Sequence, residues 1–116
     1  MPGSGLALFQ GTLDMLLLRA LVFGPRHGYG LAKWIRDTTD DDLQVEEGAL
    51  YTALHRMERR GWLASEWGRT PTKRRAKFYS LTAEGRRRVS ADTRTWQRYV
   101  EAVVKVIQAT EAQVPA

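Results

Sequence analysis

Residues 47–81, EGALYTALHRMERRGWLASEWGRTPTKRRAKFYSL, decide how the rest of the chain reads. Across 49–60 the apolar residues Leu50, Leu54 and Met57 recur at i, i+4 and i+7, which is one face of an α-helix. Between them stand Tyr51, Thr52, His55, Arg56, Arg59 and Arg60, long or hydrogen-bonding side chains that point away from that face. Gly61 supplies the left-handed residue that commonly ends a helix. After it, 63–68 and 75–81 alternate with period two, as paired strands do. The loop between them, RTPTKR at 69–74, carries a proline for the turn and the cations Arg69, Lys73 and Arg74. A helix with polar groups on one side, followed by a cationic hairpin, is the arrangement of a winged helix-turn-helix. Such a helix can enter a major groove while the hairpin tip lies along the phosphates.

Composition agrees with that reading. At 116 residues the chain is near the usual size of one domain and can bury a modest core. It is 43% hydrophobic and 27% charged, as globular domains are. The net charge of +5 and pI near 10.0 favour polyanions, nucleic acid before anionic membrane. The charge is also segregated. Residues 56–88 hold eleven Lys or Arg against three Glu, a local +8, whereas 37–47 hold six acids and no base. With no cysteine, disulfides, thiol catalysis and Cys-based zinc sites are excluded. The best apolar run, 15–23, is interrupted by Arg19 and too short to span a membrane. It follows a polar, Gly-rich start with no basic leader, so no signal peptide is expected and the cytoplasm is the expected location.

Upstream, residues 1–10 read as a flexible lead. Thr12 is the expected N-cap of a first helix, with Asp14 in its first turn. Leu13, Leu16, Leu17, Ala20 and Leu21 then give a core-facing stripe that Gly24-Pro25 ends. His27-Gly28-Tyr29-Gly30 opens a second helix to about Asp37, with Leu31 and Ile35 inward. Leu43-Gln44-Val45 is a candidate first strand of the wing sheet. Glu46 is a weak cap for the reading helix, and Gly48 costs it some propensity unless a phosphate approaches there. Thr82 caps a fourth helix that runs to about Thr110, roughly 42 Å at 1.5 Å per residue. In it Trp96, Val100, Val103 and Ile107 step by four, three and four, an apolar seam that Tyr99 and Val104 widen. So long a helix projects past a small core, and a partner chain is its expected cover.

Each candidate has a plainer reading. The reading helix alone is indistinguishable from a solvated helix face. The basic wing directly behind it tips the balance toward DNA. Lys73, Arg74, Arg75 and Lys77 would ordinarily be a solvated charge run. Alternation places Arg75, Lys77 and Tyr79 on one strand face and Ala76, Phe78 and Ser80 on the other, so a cationic face backs onto an apolar one. Trp62 and Trp67 are expected to pack at the base of the hairpin. His27 is expected to hold the turn between the first two helices and His55 to face DNA or solvent. Neither belongs to a metal-binding or catalytic pattern, and no phosphate-binding loop or nucleophile motif occurs, so neither catalysis, cofactor nor metal is expected.

The segments EEGALYTALHRMERRGWLASEWG and RRAKFYSLTAEGR, preceded by GTLDMLLLRAL and HGYGLAKWI, together resemble the PadR family of bacterial transcriptional regulators. The resemblance runs from about Gly11 to Arg98, with several motifs in the family's order. It implies that Tyr51 lies at a DNA surface; where relatives often carry Pro next, this chain has Thr52. It implies repression of nearby genes, with release by a small-molecule effector or another signal. It also matches members that dimerise through a single long helix, some of which use an aromatic at the dimer interface to hold a planar guest, a role open to Trp96.

The expected protein is therefore mostly α with a small antiparallel β-hairpin. Residues 1–81 form a winged helix-turn-helix DNA-binding domain and 82–116 a C-terminal dimerisation helix. Expected DNA contacts are Ala49, Tyr51, Thr52, His55, Arg56 and Arg59 on the recognition helix, with Lys73, Arg74, Arg75 and Lys77 on the wing. Expected dimer contacts are Trp96, Tyr99, Val100, Val103 and Ile107, assisted by Leu6, Leu8 and Phe9. Double-stranded DNA, a second copy of the chain and a small-molecule effector are the expected partners, and no membrane is. A winged helix used for protein–protein contact, without an effector, is the alternative. A basic membrane-surface protein would need cations flanking an apolar helix face, and here they cluster on the hairpin and the start of the last helix.

Overall fold

Leu17, Leu18, Ala20 and Leu21 leave solvent together with Leu31, Ile35, Leu50, Ala53, Leu54 and Met57, and these side chains from three helices make one core. The computed structural model describes residues 11–111. Helix α1 spans Thr12–Ala20 and runs into a 3-10 turn at Leu21–Phe23. A two-residue strand β1, Arg26–His27, leads into α2, Gly28–Thr38. Helix α3 is Glu47–Arg59, strands β2 and β3 are Leu63–Arg69 and Arg75–Leu81, and α4 is Ala83–Gln108. The fold is mostly helical with a three-stranded antiparallel sheet in the order β1-β3-β2.

The inward stripes lie where the helical period put them. Leu31 and Ile35 of α2 and Leu50, Leu54 and Met57 of α3 are all buried. On α1 the stripe is rotated: Leu18 is buried, while Leu13 and Leu16 are only partly covered. Asp14 explains part of that rotation. Its carboxylate accepts two hydrogen bonds from the Arg56 guanidinium, at 2.6 and 2.7 Å, so the first turn of α1 is clamped to α3. Gly11, left-handed at φ 86, stands at the N-cap of α1, and Thr12 lies within the helix without capping it.

The third strand corrects the sequence reading. It is Arg26–His27, paired to Tyr79 and Phe78, and not Leu43-Gln44-Val45, of which Leu43 alone makes an isolated bridge. The Thr39 hydroxyl donates to Ile35 O and accepts from Leu43 N, while Asp40 and Asp41 take left-handed conformations. That closed turn folds 39–43 back on α2 instead of extending it. Gly61, at φ 82, ends α3 as its position suggested. Thr82 accepts from Gly85 N as the cap of α4 and donates to Gly61 O, tying the last helix to the end of α3.

The hairpin register sets which groups face α3. Tyr79 is buried, 1% exposed, opposite Ser65, so its strand face packs inward and carries Lys77 and Arg75 toward α3 as it leaves the core. Phe78, on the other face, is half-buried with its ring edge-on to His27 at 5.2 Å. Trp62 is at the base of the hairpin as expected, between the guanidinium groups of Arg60 and Arg88. Trp67 is not: it lies further along β2, paired with Lys77, and is 60% exposed.

Candidate nucleic-acid interface

Two capping arrangements build the ends of the helix-turn-helix. His27 precedes α2 in extended conformation, and its Nδ1 accepts from Gly30 N at 3.1 Å, so the ring is tied to the first turn. Glu46 caps α3 far better than its residue type suggests, since its two oxygens accept from Gly48 N and Ala49 N at 2.9 and 2.7 Å. Those amides, Ala49 first and then Gly48, hold the Glu46 carboxyl below its ordinary pKa. Gly48 has a local reason too: a Cβ there would sit 3.0 Å from Glu46 Oε1 and crowd the cap.

Between α3 and the wing lies a groove of about 970 Å³. Tyr51 and His55 of α3 line one side, and Trp67, Pro71, Arg74, Arg75 and Lys77 line the other. The start of α2 adds Tyr29 and Lys33, which the sequence reading did not single out. The motif HGYG was the available signal: it opens a helix directly after the strand that pairs with the wing. Gly28 allows a close approach, because a Cβ there would lie 2.5 Å from the Tyr51 hydroxyl and 2.7 Å from its ring, and Tyr51 would have to move. Tyr51 thus fills the joint between α2 and α3 with one face and stays 37% exposed with the rest.

The expected contact residues separate into groups. Tyr51, His55, Arg74, Arg75 and Lys77 converge on the groove. Ala49, Thr52 and Arg59 are exposed on α3, and Lys73 is exposed at the wing tip, all outside the groove lining. Arg56 does not join them. It is turned to α1 with its guanidinium bound to Asp14. Lys77 Nζ is 3.9 Å from Glu58, whose other oxygen accepts from Ser65 Oγ at 2.5 Å. The Tyr79 hydroxyl beside them has its pKa raised, by burial first and then by Glu58 and Tyr51, so it is a neutral hydroxyl at physiological pH. At the tip, Thr70 N donates to Arg74 O, Lys73 N to Thr70 O and Arg74 N to Thr70 Oγ1, with Lys73 left-handed at φ 64. The turn is closed by its own backbone and leaves the side chains of Lys73 and Arg74 outside.

A family model described as the transcriptional regulator PadR-like family matches residues 17–91, which include the helix-turn-helix, the wing and the start of α4. The chain belongs to this family. Among solved structures, this PadR-like chain is similar to a PadR family transcriptional regulator from Eggerthella lenta, with 34% identity and a TM-score of 0.71 over 87% of this chain and 86% of that one. A transcriptional regulator from Clostridium thermocellum is 30% identical, with a TM-score of 0.76 over 85% and 96% of the two chains. A PadR family regulator from Clostridium difficile is 28% identical, with a TM-score of 0.70 over 85% and 100%.

In this PadR-like regulator α4 is anchored in the core at its start and increasingly exposed toward its end. Val89 is buried, but from there on the helix contributes nothing to the core. Tyr99, Val100, Val103, Val104 and Ile107 are all exposed, and the half-buried Trp96 meets Tyr99 edge-on at 5.9 Å. Leu6, Leu8 and Phe9 lie outside the described residues. Among the described residues no helix is long and apolar enough to cross a membrane, and no cluster of three or more His, Cys, Asp or Glu could hold a metal ion.

Proposed function

We propose that this PadR-like regulator binds double-stranded DNA as a homodimer and represses transcription from the cytoplasm, with a small-molecule effector releasing it. The observation that carries the reading is the groove itself: a capped helix and a cationic hairpin converge on one concavity, and the apolar side of that helix is wholly buried behind it. Tyr51, Thr52 and His55 face base edges, helped by the backbone at Ala49. Arg59, Lys73, Arg74, Arg75 and Lys77 meet phosphates, and Tyr29 and Lys33 join them from α2. Arg56 is left out, since Asp14 already occupies its guanidinium.

Residues 1–81 serve as the DNA-binding unit and 82–116 as the dimerisation helix. The exposed seam of α4 supports the second part, because Val100, Val103, Val104 and Ile107 are exposed along one helix and none of them joins the core among the described residues. Trp96, Tyr99, Val100, Val103 and Ile107 close that seam against a second copy. Two recognition helices are then offered to half-sites about 34 Å apart, or a multiple of that. Trp96 presents an apolar ring at the start of the seam, where a planar effector would wedge between protomers and shift the dimer away from its DNA-competent spacing. Tryptophan quenching by planar aromatic compounds that survives Trp96→Leu would remove that site. The main test is a gel shift with the DNA upstream of the chain's own gene at two salt concentrations. Tight, strongly salt-dependent retardation of that DNA over a scrambled duplex is expected. Equal affinity for both sequences would refute sequence-specific control.

A further inference from the structure

Trp67 is 60% exposed on a hairpin whose other tryptophan, Trp62, is packed against the core. Trp62 therefore has a packing reason to exist, whereas Trp67 is not packed against the core among the described residues. What Trp67 does have is a cation on its face: the Arg75 guanidinium carbon lies 4.5 Å from the ring centroid. The register makes this contact diagonal, because Trp67 pairs with Lys77 and Arg69 with Arg75. Arg69 and Arg75 are like charges directly opposite each other, which opposes hairpin formation unless the two part. They part in different ways: Arg69 donates to Lys73 O and stays with the tip, while Arg75 lies back over the indole.

We propose that Trp67 is a positioning residue for Arg75, holding its guanidinium flat at the mouth of the groove so that its N–H edge is free for a DNA phosphate. The inference rests on the DNA-binding reading given above. A guanidinium stacked by its face keeps all five N–H donors in the plane, pointing outward. Arg75 also differs from its neighbour Lys77, which has the Glu58 carboxylate 3.9 Å away. Among the described residues Arg75 makes no ion pair, so its charge is not offset before DNA arrives. A ring is a partner that restrains an arginine without neutralising it. Lysine could not replace it, since an ammonium on a flexible stem offers neither the flat face nor the fork.

The test is a double-mutant cycle on DNA affinity, read on a duplex selected from a random pool by the wild-type protein. Trp67→Ala is expected to weaken binding about two- to fivefold, the range of an exposed cation–π contact, with Trp67→Phe between it and wild type. Arg75→Gln is expected to lower the salt slope by about one unit, whereas Trp67→Ala leaves the slope unchanged. In the Arg75→Gln background, Trp67→Ala should change affinity no further. If Trp67→Ala weakens binding equally in both backgrounds, the indole acts on its own and the proposal falls. Trp67→Phe, which keeps a ring in the hairpin, carries the same test if the alanine variant melts early. Absence of any salt-dependent affinity in the wild type would instead bring down the DNA-binding reading, and this inference with it.

Discussion

Arg56→Ala is expected to cost stability while leaving the salt dependence of DNA binding unchanged. Arg56 and Asp14 are 42 residues apart and make two charge-assisted hydrogen bonds, at 2.6 and 2.7 Å, between α3 and α1. Their side chains are 33% and 29% exposed, so the pair is neither a surface ion pair nor a buried one. Exposed pairs contribute about 0–1 kcal/mol, and breaking a buried one costs about 3–5 kcal/mol. A coupling energy of about 1–2 kcal/mol is the fitting intermediate, equivalent to a fall in Tm of about 4–10 °C for a chain of this size. The assay is a cycle of Arg56→Ala, Asp14→Ala and the double variant, unfolded in urea at one fixed protomer concentration so that association does not confuse the comparison. Each single variant should lose nearly as much as the double. DNA binding supplies the second readout, since a lost phosphate contact would lower the salt slope by about one unit and a lost strut would not. Additive stabilities together with a reduced slope for Arg56→Ala would refute the clamp and return Arg56 to the phosphate contacts.

On the wing, Lys73→Ala with Arg74→Ala should weaken binding to all sequences alike and reduce the salt slope by about one unit per lost contact. Thr52→Ala should instead cost affinity at particular base pairs, as measured with a panel of single-substitution duplexes. In α4, Val103→Glu with Ile107→Glu should give a monomer at micromolar concentration by light scattering, with much weaker DNA binding, and a persistent dimer would reject the α4 seam. The Glu46 cap should leave a signature in acid. Its folded pKa is lowered by the Ala49 and Gly48 amides, so its contribution is complete above the ordinary glutamate range and is lost as pH falls through the lowered folded value. Thermal melts at descending pH should therefore show a flatter acid limb for Glu46→Ala than for wild type.

Most of the fold was legible because it depends on period. Leu50, Leu54 and Met57, or Leu31 and Ile35, declare a buried helix face whatever packs on it. Gly61 and Thr82 were legible for the same kind of reason, since a left-handed stop and a hydroxyl cap act within three or four residues. Glu46 misled because propensity ranks residue types, whereas this carboxylate reaches two amides in a turn that a following glycine keeps open.

What sequence did not convey was partnership across distance. Nothing local says that Arg26–His27, and not Leu43–Val45, will pair with β3, because its partners Tyr79 and Phe78 lie far along the chain. Nothing local says that Arg56, spaced correctly for the solvent face of α3, will turn to Asp14. One helical step separates it from His55, which lines the groove, so periodicity alone placed both on the reading side. The two tryptophans of β2 and its approach teach the same lesson. Trp62 and Trp67 look alike in sequence, yet register sets one against the core between two arginines and the other in solvent under a third. Binding surfaces are built from such long-range choices. The groove lining was therefore readable as a set of elements, α3 and the wing, well before its individual members could be sorted into those that line the groove and those that hold the helices still.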